Sequence, residues 1–284
     1  MAIILHPKRW TNQPPVGAQI DFSHPLAKGL TFYILFNAGS GLQKALLPAG
    51  LPGNGVGTPP TPEWKSGPDG GISQNWNGSF SLWYERGLWV EPVNACSVVS
   101  RQRRVGTNGQ YATPGRKTYN NDTVLFSSYG ISYNPGGAGQ DVVSSDVAVN
   151  GSGHSGNNVT LPAGSTLNAH TIAQTCDANA GVLKLYYNGI VKDSVSFGGG
   201  TMTYDQSSTG RLIISGDSSA AIIDGTPWSG QVYYFGVWNR VLTPSELEWI
   251  NLEPYAMLIP TKRKKFFLPS GRAFTFYVAA EKII

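Results

Sequence analysis

At 284 residues the chain is long enough for one large β domain or two smaller ones. Gly 35 and Pro 19 make up about a fifth of it and only 13% is charged, which excludes helical bundles and coiled coils. The 40% apolar and 11% aromatic content excludes global disorder, and the +4 net charge is uneven. Residues 261–284 hold six basic groups against Glu281 alone, leaving 15 basic and 16 acidic groups in the first 260. The body is therefore neutral and the tail basic, so whole-surface binding to nucleic acid or to an anionic membrane is not expected.

Residues 1–29 read as an extended arm, because Pro7, Pro14, Pro15 and Pro25 deny both helix and ladder hydrogen bonds. The opening MAIILHPKRW has too short an apolar run for an export signal, and no run reaches the ~18–20 apolar residues of a membrane span. Leu30–Phe36, apolar and aromatic throughout, predicts a strand covered on both faces. Residues 38–62, rich in Gly and Pro, predict a long surface loop. Residues 70–78 and 79–91 predict a hairpin turning at Asn77-Gly78.

Further strands are expected over 96–102, 123–133, 141–149 and 170–177. Residues 182–197 carry Asn188-Gly189 between two alternating runs, the clearest hairpin in the chain. Strands over 211–216 and 230–240 bring the expected total to roughly a dozen. One helix follows: Thr243 caps, Pro244 takes the first helical position, Glu246 completes a capping box, and Glu253-Pro254 ends it. The domains so expected are the arm 1–29, a β-sandwich over 30–258, and a basic, aromatic tail over 259–284 that forms a hairpin. Cys96 and Cys176, 80 positions apart, make neither a disulfide framework nor a zinc motif and leave a single bridge open.

The run Trp228-Ser229-Gly230-Gln231-Val232, continuing at Gly236 through Val237-Trp238-Asn239-Arg240-Val241-Leu242-Thr243, resembles the closing segment of concanavalin A-like lectin/glucanase domains of the LamG/pentraxin group. Leu183–Val195 is similar to that family's "Y-v-N-G" hairpin, and His170 with Ile172 to the strand before it. His24-Pro25-Leu26-Ala27-Lys28-Gly29-Leu30 and Asn251-Leu252-Glu253-Pro254-Tyr255-Ala256-Met257 resemble the opening and exit of such proteins encoded by tailed bacteriophages and prophages. The resemblance implies an all-β, jelly-roll β-sandwich with one short C-terminal helix and extended terminal arms. It departs from the family at Gly230–Tyr234, where a strand carboxylate common in the family is missing. Calcium, if bound, would then rely on loop carbonyls with Asp217 or Asp224.

Glycoside hydrolysis needs two carboxylates facing one sugar. The E-x-D-x-x-E strand of glucanases on this fold is absent, and Glu246 and Glu248 sit two apart on the expected helix, on different faces. The expectation is a non-enzyme. Sugar binding would use an aromatic face beside polar groups at a loop-rich edge, for which Trp228 with Asp224 and Asp217 is the candidate. Trp238 is expected in the core, as are Trp76 and Trp83, and the cluster Arg101-Gln102-Arg103-Arg104 is expected at a solvated strand end.

The tail's Lys262, Arg263, Lys264, Lys265, Phe266 and Phe267, followed by the alternating 273–278, are candidate attachment residues because such apolar surface must be buried on something. Together with the resemblance of the two ends to phage-encoded proteins, this implies a bacteriophage virion structural protein that decorates the capsid. Its expected partners are the major capsid protein or other virion proteins, and its expected state a homo-oligomer made in the host cytoplasm. The alternatives are a glycan-binding tail or receptor-recognition module and, more remotely, a glycan-cleaving enzyme.

Overall fold

The computed structural model describes residues 13–57, 63–66, 72–77, 80–85, 90–104, 112–121, 124–136, 140–155, 159–162, 164–203, 211–214, 229–259, 264–267 and 273–276. In chain order the strands are β1 (Gln19–Ile20), β2 (Leu30–Leu35), β3 (Asn54–Gly57), β4 (Glu63–Ser66), β5 (Ile72–Asn77), β6 (Phe80–Glu85) and β7 (Ala95–Arg104). There follow β8 (Ala112–Asn121), β9 (Val124–Gly136), β10 (Gln140–Val149), β11 (Ser152–Ser155), β12 (Val159–Leu161), β13 (His170–Asp177), β14 (Val182–Tyr187) and β15 (Ile190–Ser196). The last group is β16 (Arg211–Ile214), β17 (Ser229–Trp238), helix α1 (Pro244–Leu252), β18 (Leu258–Ile259), β19 (Lys264–Phe267) and β20 (Ala273–Phe276).

The strands build two eight-stranded antiparallel sheets, the expected all-β sandwich. One runs β11-β10-β9-β8-β16-β6-β3, with β12 also on β10; the other runs β15-β14-β13-β7-β17-β5-β4, with β2 also on β17. Residues along β7 and β13 alternate between the two faces of their sheet. Cys96 and Val98 of β7, Ile172 and Cys176 of β13, and Val143, Val147 and Leu212 of the facing sheet meet in one apolar core between the layers.

The outer face of the second sheet carries its own core. Val99, Ala173, Tyr186 and Tyr234 there are covered by Leu247 and Ile250 of α1, by Leu26 of the arm, and by Tyr255 and Met257 of the exit segment. Every residue of β2 is buried, as expected of a strand sandwiched on both faces. The arm also contains a 3-10 turn over Pro25–Ala27, entered through His24, whose Nδ1 accepts from the Leu26 amide. Proline is compatible with a helical first turn, where its missing N–H has no partner to lose.

The two motifs that carry the family resemblance are pieces of one clasp. Trp238 is fully buried and donates from Nε1 to the Leu26 carbonyl at 2.7 Å, while the Asn239 amide donates to Gly29 O at 2.8 Å. Arg240 donates from Nε to Lys28 O at 2.7 Å and grips Glu246 with both terminal nitrogens at 2.7 and 2.8 Å. Gly29 has φ +76, and a Cβ there would lie 2.7 Å from Asn239 Oδ1, so no other residue fits both the turn and the contact. The capping box of α1 forms as the sequence predicts: Thr243 Oγ1 accepts from Glu246 N while the Glu246 carboxylate accepts from Thr243 N.

Several expectations are corrected. Residues flanking Asn77-Gly78 do not form a hairpin: β5 pairs with β17 and β4, whereas β6 pairs with β16 and β3 in the other sheet. The burial of Leu82 and Tyr84 in the inter-sheet core decides the partner of β6. The span 38–62 contains β3, and Ala45 and Leu51 anchor its first part in the core. β8 has no apolar alternation and carries Pro114, tolerated because the register shifts between Ala112 and Gly115. By contrast the Asn188-Gly189 hairpin forms as expected, with φ of 51° and 78°. Its tip presses on α1, where a Cβ on Gly189 would approach Glu248 Cα to 2.8 Å.

Candidate functional site

One end of the sandwich is polar inside. Along β7 the inward positions run Cys96, Val98, Ser100, Gln102, Arg104, so the core face changes from apolar to charged over its length. At this end Arg104 donates from its terminal nitrogen to Asp141 Oδ1 on β10 at 2.7 Å, joining the two sheets through an ion pair. The second carboxylate oxygen accepts from both the amide and the hydroxyl of Thr166, at 2.9 and 2.8 Å. Arg104 Nε donates in turn to Thr166 Oγ1 at 2.9 Å. The triangle is nearly closed to solvent, with Arg104 13% and Asp141 3% exposed. Both carboxylate oxygens are engaged, so Asp141 works as a brace between the sheets.

Beside the triangle His170 is buried, with its Nδ1 2.7 Å from Asn168 O. A carbonyl can only accept, so Nδ1 carries a proton. Burial lowers its pKa to about 4; the Asn168 bond opposes the shift, Arg101 and Arg104 reinforce it, and Asp141 resists it. The imidazole lies 5.5 Å from the ring of half-buried Tyr187, whose hydroxyl donates to Ser165 O at 2.8 Å. Burial raises that phenol's pKa. Asn188 Oδ1 accepts from the Thr171 amide at 2.9 Å, tying the β14–β15 turn to the same corner. The arrangement sets an aromatic ring and amide-bearing Asn168 and Asn188 at the rim of a rigid polar wall.

Arg104 of β7 pairs with Gly230 of β17, and β16 ends at Ile214. The segment 215–228 therefore joins β16 to the start of β17, whose first residues lie next to the Arg104 corner. Trp228, Asp224 and Asp217 fall in that segment, outside the described residues, as do Lys262 and Arg263 of the tail. Lys264, Lys265, Phe266 and Phe267 form β19, paired with β20. Trp76 and Trp83 lie on β5 and β6, and Trp238 is core as expected.

Arg104 is not at a solvated strand end. The alternation of β7 puts it on the core face, a signal present in the sequence, whereas its partner Asp141 and the bridging Thr166 carry no local signal. Among the described residues no group of three or more His, Cys, Asp or Glu could hold a metal ion. Glu246 is fixed by Arg240 and by its cap: burial would raise its pKa, but the Arg240 and Thr243 bonds outweigh that and hold it below the ordinary carboxylate value. Cys96 and Cys176 are free, buried and directly opposite on β7 and β13. No described helix is long and apolar enough to cross a membrane.

No family model and no curated protein matches the chain. Solved structures do. Domain 4 of AbnA, a GH43 extracellular arabinanase from Geobacillus stearothermophilus, in complex with arabinotriose, is 20% identical with a TM-score of 0.54, over 79% of this chain and 98% of that one. The binding domain of Paraclostridial Mosquitocidal Protein 1 is 17% identical with a TM-score of 0.53, over 80% of this chain and 52% of that one. Trypanosoma rangeli sialidase in complex with sialic acid is 13% identical with a TM-score of 0.53, over 80% of this chain. The chain spans 33% of the sialidase. At these identities the shared property is the fold, an all-β jelly-roll sandwich.

Proposed function

We propose that the protein is a carbohydrate-binding sandwich without hydrolytic activity, and that it takes its ligand at the polar end where 215–228 enters β17. The observation that carries this reading is the likeness to the arabinanase domain bound to arabinotriose, of which this chain covers 98%. Such a ligand is held by stacking on an aromatic face and by hydrogen bonds to fixed polar groups. Trp228 supplies the face in this reading, and Asp224 and Asp217 the hydrogen bonds, with the Arg104–Asp141–Thr166 triangle keeping the wall rigid. The non-enzymatic part rests on Asp141 and Glu246 being fully engaged in structural bonds. A glycan array run with and without a calcium chelator tests the reading, with Trp228→Ala as the control. Binding abolished by the chelator would add a cation at Asp217 and Asp224; product release from a bound polysaccharide would remove the non-enzymatic claim.

The second reading is where the sandwich works. The opening His24–Leu30 and the exit Asn251–Met257 resemble those of proteins encoded by tailed bacteriophages and prophages, which favours display on a virion, as capsid decoration, with residues 261–284 tying the protein into the particle. Deleting 261–284 should then free the protein from particles while the sandwich still folds. Quantitative mass spectrometry of purified particles gives the copy number, and complete absence would exclude this setting.

A further inference from the structure

We propose that the polar end of the sandwich takes an acidic sugar: Arg101 and Arg103, on the outer face of β7, form an anion site for the carboxylate or sulfate group of a glycan unit. This rests on the carbohydrate reading of that end and adds the chemical class of sugar it selects.

The strand sets the two arginines on one face. Val98 belongs to the inter-sheet core and Val99 to the outer one, so the period of two carries Gln102 and Arg104 inward and Arg101 and Arg103 outward. The register agrees: Arg101 stands opposite Thr171 of β13 and Tyr234 of β17, and Tyr234 is part of the outer core. Arg103 stands opposite Gln231, the third residue of β17, beside the point where 215–228 enters that strand. β13 begins at His170, opposite Gln102, so Arg103 lies beyond its end. Two positions apart on one strand, the two arginines have their Cα atoms about 7 Å from each other, close enough to share one anionic group between their long side chains.

Charge makes this an anion site. Arg104 is neutralised by Asp141, and the other ion pair among the described residues is Arg240 with Glu246. Arg101 donates from Nη1 to the neutral Thr171 Oγ1 at 3.4 Å. Arg103 Nε is buried without a hydrogen-bond partner. Its neighbour Gln231 offers no acceptor: Oε1 takes the Tyr233 hydroxyl at 3.3 Å, and Nε2 donates to Ser66 O at 3.4 Å. A buried N–H of a charged group left unmet is costly, and a second guanidinium on the same face adds repulsion. An anion relieves both. The planar fork of arginine presents paired donors that match two oxygens of a carboxylate or sulfate, which selects an acidic sugar over a neutral one at this lip of the polar end.

An array of matched neutral, uronic-acid and sulfated oligosaccharides, probed with the full chain, tests it. Acidic glycans should be retained at least about tenfold better than their neutral counterparts, the effect of one charge-assisted hydrogen bond, and the advantage should shrink as salt rises. The uronic-acid and sulfated arms tell which anion is taken. Arg103→Gln should abolish the advantage while neutral glycans stay bound, and Arg103→Lys, which keeps the charge but not the fork, should recover only part of it. Arg103→Gln should also keep or raise the urea midpoint, because it removes a buried group that has no partner in the fold. Equal retention of neutral and acidic glycans would overturn the acidic-sugar assignment and leave the carbohydrate reading standing, whereas retention of nothing would overturn both. An Arg103→Gln protein that keeps the acidic preference, or that unfolds at clearly lower urea, would overturn the assignment as well.

Discussion

Replacing Asp141 by Ala should be among the most destabilising substitutions available outside the apolar core. The change leaves the Arg104 guanidinium 13% exposed with no counter-charge, and strands the Thr166 amide, which is buried and donates only to Asp141 in this corner. Removing one partner of a buried, hydrogen-bonded ion pair costs about 3–5 kcal/mol, because the remaining charge cannot recover its water. That is roughly a third of the total stability of a typical domain. The double variant Arg104→Met with Asp141→Leu removes both charges and should recover most of the loss, leaving about 1–3 kcal/mol for the unsatisfied Thr166 groups. Urea denaturation followed by tryptophan fluorescence measures both, and the m-value checks that the native state is unchanged. A loss below about 1 kcal/mol for Asp141→Ala, or a double variant as unstable as the single one, would refute the brace.

Other outcomes follow from the same geometry. His170 is buried neutral with its pKa lowered from 6.5 to about 4, so the unfolded chain binds the proton first as pH falls. Wild-type stability should therefore decline between pH 6.5 and 4 by about 3 kcal/mol more than that of His170→Gln, taking 1.36 kcal/mol per pH unit; parallel pH profiles would contradict this. Glu246→Ala removes the capping box and releases Arg240, and should cost about 1–2 kcal/mol near neutral pH in thermal denaturation. Because the Glu246 pKa is held below its unfolded value, that difference should shrink as pH drops below about 4.3; a constant difference down to pH 3 would count against it. Cys96 and Cys176 should resist alkylation in the native state and both react after unfolding, since the hydrogen bond that the Cys96 thiol donates to the Cys176 side chain and then burial push the Cys96 thiol up. A bridged pair in non-reducing mass spectrometry would contradict the free thiols.

How legible the molecule was in its sequence depended on whether the determining physics was local. The Asn188-Gly189 turn, the capped helix from Pro244 and the strand Leu30–Leu35 could be read directly, because turn conformation, capping and two-sided burial are written in adjacent residues. The partner of β5 could not. Asn77-Gly78 signals a turn whether the next strand returns to the same sheet or crosses to the other, and only the burial of Leu82 and Tyr84 against residues far along the chain decides. β8 was invisible because Pro114 and its polar neighbours lack any alternation, and its place between β9 and β16 comes from register with its neighbours. The polar end was half legible: period-two alternation along β7 carries Arg104 inward. Its meeting with Asp141, 37 residues on, is a tertiary fact. The clasp between His24–Leu30 and Trp238–Glu246 explains why those two segments read as motifs: each satisfies the other's backbone groups across more than two hundred residues.

The most direct test of the central claim is a glycan array probed with the full chain and with Trp228→Ala, both confirmed as folded by their denaturation curves. The account predicts selective retention of one glycan class by the wild-type protein, lost in the variant, with no release of cleaved product. Failure of the folded wild-type protein to retain any glycan at millimolar ligand would contradict it.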